Sequence, residues 1–120
     1  MVALDMEARG FEAKVCGYAV TVNNGGELLV RLEVQANRVN IARGEQAVTL
    51  YRQAAPLLAA DCTEVAETAR GYTVQVFGMT FEVTWFETAT RVTAKSGEER
   101  LFTASRTLRE WEQRGGNDEG

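Results

Sequence analysis

Apolar and polar residues alternate along two long stretches of this chain. In the first, Tyr18, Val20 and Val22 alternate with small or polar residues, the pattern of a half-buried strand. Asn23-Asn24-Gly25-Gly26 follows, and Asn and Gly tolerate the positive φ that a tight turn needs. Leu28, Val30, Leu32 and Val34 then alternate with Leu29, Arg31, Glu33 and Gln35, which predicts a second strand with one apolar face. Val39 and Ile41 continue the pattern after a break at Ala36-Asn37, and Arg43-Gly44-Glu45 turns the chain into a fourth strand, Gln46 to Arg52. From Ala54 to Ala69 the period changes. Leu58, Cys62, Val65 and Ala69 fall at spacings of four, three and four, which predicts an amphipathic helix with Pro56 in its first turn and Arg70-Gly71 as its stop.

The second stretch repeats the first. A shift of 53 residues superposes Gly25 on Gly78, Val30 on Val83, Ala36 on Ala89, Arg38 on Arg91, Val39 on Val92, Gly44 on Gly97 and Glu45 on Glu98. One residue out of phase, Gly17-Tyr18 faces Gly71-Tyr72. Strands are thus expected at Tyr72 to Phe77, Thr80 to Phe86, Arg91 to Lys95 and Arg100 to Ala104. A closing helix is expected from Thr107 to Arg114, with Thr107 and Glu110 at capping-box spacing. The expected fold class is α+β: a tandem duplication of a four-strand-plus-helix unit, ββββα twice, with a mainly antiparallel sheet packed on helices. Residues 1–114 form one domain of two repeats, 17–69 and 71–114, followed by a flexible tail, 115–120. Phe11 to Val15 adds an edge strand.

Composition changes this picture little. The chain has 120 residues, 45% of them apolar and 25% charged, as in an ordinary globular domain. No apolar run approaches the roughly 20 residues of a membrane-spanning helix, and acids stand near the N-terminus where a secretory signal would be basic. A cytoplasmic protein with no membrane partner is expected. Cys16 and Cys62 form no CxxC pattern and read as buried, reduced thiols.

Chemistry is sparse. There is no histidine, which removes the commonest general base and zinc ligand. No glycine-rich phosphate motif precedes a helix, since Gly25-Gly26 lies in a hairpin. Glu64 and Glu67 share one exposed face of the expected helix, and Glu45 and Glu98 recur as turn residues. No catalytic, cofactor-binding or metal-binding residue is assigned, and no cofactor is expected. The net charge is −4, and eleven of the 13 basic residues are arginines, the side chain suited to bidentate contacts at interfaces.

The aromatic residues carry more. If Phe81, Val83 and Trp85 point inward, Phe86 and Phe77 lie on the other face. Tyr51 and Phe102 likewise oppose an inward Val48, Leu50 and Leu101. Either a further element covers these rings or they form a binding surface beside Arg38, Arg91 and Lys95. The candidate partner-binding residues are accordingly Arg38, Arg91, Lys95, Phe86, Tyr51 and Phe102. They suggest a non-catalytic protein-binding module, a small adaptor, inhibitor or immunity-type protein, with a protein partner of unspecified identity. Open sheet edges make a homodimer the simplest self-association.

The order four strands then helix, over residues 17–69 and again over 71–114, resembles the architecture of the Whirly and PUR-repeat families. That resemblance implies an alternative function, binding of single-stranded nucleic acid, with Arg38, Arg91, Lys95, Phe86 and Phe102 on the binding face.

Overall fold

A computed structural model of the chain describes residues 3–8, 10–61 and 63–107. Among them are twelve strands: β1 (Ala3–Ala8), β2 (Glu12–Cys16), β3 (Ala19–Asn24), β4 (Glu27–Val34), β5 (Arg38–Arg43), β6 (Gln46–Tyr51), β7 (Leu57–Ala59), β8 (Glu64–Thr68), β9 (Gly71–Val76), β10 (Met79–Trp85), β11 (Ala89–Ser96) and β12 (Glu99–Thr107). They form two six-stranded antiparallel sheets, ordered β2-β3-β4-β5-β6-β7 and β1-β12-β11-β10-β9-β8. β4 packs across from β11 and β12, so the sheets lie face to face as a sandwich.

The fold is therefore all-β, not α+β, among the described residues. The segment read as a helix, Ala54 to Ala69, supplies two edge strands instead. β7 pairs with β6, and β8 pairs with β9 over Glu64↔Gln75 to Thr68↔Gly71. The apolar stripe that suggested a helix rested on four residues, whereas strand pairing satisfies the outer backbone groups of β6 and β9. The β-branched Val65 and Thr68 also suit a strand. Thr63 Oγ1 donates to Ala60 O at 2.9 Å, and Asp61 N–H donates to Gln46 Oε1 at 3.0 Å, which shapes the crossover between the sheets. Glu64 and Glu67, three apart on a strand, fall on opposite faces. Of the expected closing helix, Thr107 is the last residue of β12, and the rest lies outside the described residues, as do Cys62 and the tail. The likeness to Whirly and PUR-repeat architecture rested on a helix after each set of strands, and the strands at 57–68 remove its basis. No helix among the described residues is long and apolar enough to cross a membrane.

Each meander holds one of the two similar stretches. β2 leads the first sheet as β8 leads the second, and β1 fills beside β12 the place that β7 fills beside β6. The Gly44-Glu45 and Gly97-Glu98 turns stand 53 residues apart, as the sequence shift requires. The turns closed by Gln35 N–H to Arg38 O and by Phe86 N–H to Ala89 O stand only 51 apart. The difference lies in β11, with 8 residues against 6 in β5. Counted from that turn, Ala89 and not Arg91 occupies the place of Arg38.

The core lies between the sheets. The first sheet contributes mostly valine, leucine and isoleucine, while the second contributes Phe81, Phe102 and Trp85 among its smaller residues. Two bulges set which residues enter it. In β4, Val30 pairs with Val22 and Leu28 with Asn23, so Leu29 is the extra residue and Leu28 turns outward, 42% exposed. In β12, Phe102 pairs with Ala94 and Arg100 with Lys95, so Leu101 is the extra residue. The bulge reverses the expected phase: Phe102 is buried in the core, edge-on to Phe81 at 6.4 Å, and Leu101 lies at the margin. Cys16, expected to be buried, is exposed on edge strand β2.

Candidate functional site

Strand direction alternates, so the connections after β2, β4, β6, β8 and β10 and the end of β12 all lie at one end of the sandwich. That arrangement gathers side chains distant in sequence. Arg38, Arg52, Arg70, Arg91 and Arg106 meet there with Tyr18, Tyr51, Tyr72, Trp85 and Phe86, against the carboxylates of Glu33, Glu67 and Glu87. The opposite end carries Glu12, Glu27, Glu45, Asp61, Glu64, Glu98 and Glu99 against Arg43, Lys95 and Arg100. A chain of net charge −4 thus has one basic, aromatic end.

Arg52, immediately after β6, braces this end. Its Nε donates to Ala36 O and its Nη2 to Phe86 O, each at 3.0 Å, tying the β4–β5 turn to the β10–β11 turn across the sandwich. Thr90, fully buried, donates from Oγ1 to Gln35 O at 3.0 Å, and Arg106 Nη1 donates to Val34 O at 3.3 Å. The Arg52 guanidinium also lies over the Trp85 ring, 5.9 Å from its centroid, and Tyr72 meets that ring edge-on at 5.9 Å. Trp85 N–H donates to Arg70 O at 2.8 Å, which holds the β8–β9 turn against the end of β10. The Trp85 side chain lies at the rim of the core, and its indole Nε1 reaches no acceptor.

Beside these residues is an open groove of about 290 Å³, lined by Arg52, the 67–72 hairpin and Trp85. A larger concavity at the opposite end, about 520 Å³, is lined by Asn24, Glu27, Leu28, Leu29 and Arg43. There the arginine is occupied, with Nε donating to Leu29 O at 2.8 Å and its guanidinium over the Phe77 ring at 5.2 Å.

Four of the six residues singled out from sequence lie at the basic end, in two pairs on the outer faces of opposite sheets. Arg38 and Tyr51 are cross-strand partners on β5 and β6, and the Arg91 guanidinium lies over the Phe86 ring at 5.2 Å. Arg38 Nη2 is 3.6 Å from Glu33, whose carboxylate is held more closely by Arg31 at 2.8 Å. The other two lie elsewhere. Lys95 is near the opposite end and pairs with Glu82 at 3.0 Å, while Phe102 is 1% exposed and packs in the core. Arg52, Arg70, Tyr72, Trp85 and Arg106 were not singled out. Their common signal is position beside alternate turns, which is readable only once 57–59 and 64–68 are counted as strands. Among the described residues no three His, Cys, Asp or Glu side chains cluster in a way that could hold a metal. No protein-family model, no curated protein and no solved structure matches this chain.

Proposed function

We propose that this protein is a non-catalytic protein-binding module that docks an acidic partner against its basic, aromatic end. The convergence of five arginines with exposed and half-buried aromatic rings on one end of a rigid sandwich carries this reading. Arginine, tryptophan and tyrosine are the residues that dominate interface energetics, because they combine large contact area with directed polar groups. Among the described residues Arg70 and Arg91 have no carboxylate partner, so their charge is available to an incoming one. Self-association belongs to the same proposal: β2 is exposed along all five residues and presents an unpaired edge on which a second copy can add a strand.

Arg91 over Phe86 also suits a nucleobase, and single-stranded nucleic acid is the competing reading. Fluorescence anisotropy with a labelled hexaglutamate peptide and a labelled single-stranded oligothymidine separates the two. The protein-binding reading expects the peptide to bind, to weaken as salt rises, and to weaken at least about tenfold when Arg38, Arg70 and Arg91 are replaced together by Ala. Binding of the oligothymidine alone overturns it.

A further inference from the structure

We propose that the groove between the β8–β9 hairpin and Arg52 is a carboxylate-seating subsite, which takes one glutamate or aspartate side chain of the partner between Arg52 and Arg70. The inference rests on the reading of the basic end as a protein-docking surface and assigns that surface one specific contact. Three observations converge on the groove.

The first is a fixed cation with donors to spare. Arg52 is held in place by its bonds to Ala36 O and Phe86 O, which engage Nε and one N–H of Nη2. Among the described residues its Nη1 has no partner, and no carboxylate pairs with it. A guanidinium already ordered by its own fold loses little freedom when a carboxylate arrives. The second is Arg70, also lining the groove, which forms no ion pair or side-chain hydrogen bond among the described residues. The third is Trp85, 7% exposed, whose ring lines the groove beneath the Arg52 guanidinium and so places a spectroscopic reporter beside the seat.

Space and charge agree. At about 290 Å³ the groove has room for an acidic side chain together with water. Glu67 also lines it but pairs with neither arginine, so two guanidinium groups face one carboxylate and the site keeps a net positive charge. Glu67 therefore opposes the incoming acid and sets its affinity from the negative side.

The test uses the full chain with Trp111→Phe, which leaves Trp85 as the sole tryptophan, labelled with ¹⁵N at the indole. Hexaglutamate is titrated at about 10 mM salt, where the screening length is about 30 Å, and followed by both peptide anisotropy and the Trp85 indole resonance. The expected result is a saturable shift of that resonance with the same Kd as the anisotropy. Arg70→Gln should weaken both about tenfold, the contribution of one charge-assisted hydrogen bond. Glu67→Gln should tighten both. Peptide binding with an unmoved Trp85 resonance overturns the subsite and leaves the acidic-partner reading standing. No peptide binding, with or without binding of oligothymidine, overturns both.

Discussion

At the residue scale, two positions show how a local rule is set by a neighbour. Gly17 and Gly71 match in the sequence shift, yet they are glycine for different reasons. Gly17 has φ +62 in the β2–β3 turn, while Gly71 begins β9 at ordinary φ, and a Cβ there would run into the Val83 carbonyl. Gly71→Ala should cost about 1–3 kcal/mol, since the obstacle is backbone and cannot swing away. The neighbouring Thr73→Ala, with no such obstacle, should stay within about 1 kcal/mol when both are measured by chemical denaturation. Phe102 and Leu101 make a second pair. Strict alternation from Val48 and its counterparts assigns the core to Leu101, but the extra residue in β12 hands it to Phe102. Phe102→Ala should therefore cost about 3–5 kcal/mol, and Leu101→Ala clearly less. Equal losses, or a larger loss at Leu101, would place the bulge elsewhere.

At the element scale, the strands of both meanders were legible because each buries one face, so period two is written directly into Val20, Val22, Val30, Leu32 and their counterparts. The short edge strands were not. β7 is exposed along its whole length and β8 at every residue but Val65, so no alternation marks them. Leu58, Val65 and Ala69 could then be read at helical spacing by coincidence. The cost of that misreading reached the site: with two strands missed, the common end of Arg52, Arg70 and Trp85 could not be seen. A single substitution distinguishes helix from strand at this segment by its sign. Ala66 is exposed on β8 and faces Thr73 across the β8–β9 pair. Ala66→Thr should raise stability by about 0.5 kcal/mol through strand propensity and a Thr–Thr cross-strand pair. In a helix the same change would lower stability by a similar amount. Thermal and denaturant unfolding of the two proteins read the sign.

At the scale of the whole molecule, Arg52 carries structural bonds that Arg70 and Arg91 lack, and this separates a structural role from a purely docking one. Arg52 bridges the two sheets through carbonyls of opposite turns, so Arg52→Ala strands two partly buried acceptors. A loss of about 1–3 kcal/mol is expected, with Arg52→Lys recovering only part of it, because an ammonium does not reproduce the forked geometry. Arg70 and Arg91 bridge nothing. Arg91 is exposed with its guanidinium over the face of Phe86, and Arg70 contributes its carbonyl, not its side chain, to Trp85. Arg70→Ala and Arg91→Ala should each leave stability within about 0.5 kcal/mol. If the basic end is a docking surface, the same two changes should cost it affinity for hexaglutamate, and the cost should shrink as salt is added. Loss of stability in Arg70→Ala or Arg91→Ala comparable to that of Arg52→Ala would mean that the end is built to hold the sheets together. Preserved stability with lost, salt-sensitive binding would mean that a sandwich braced by Arg52 and Arg106 presents Arg70 and Arg91 to a partner.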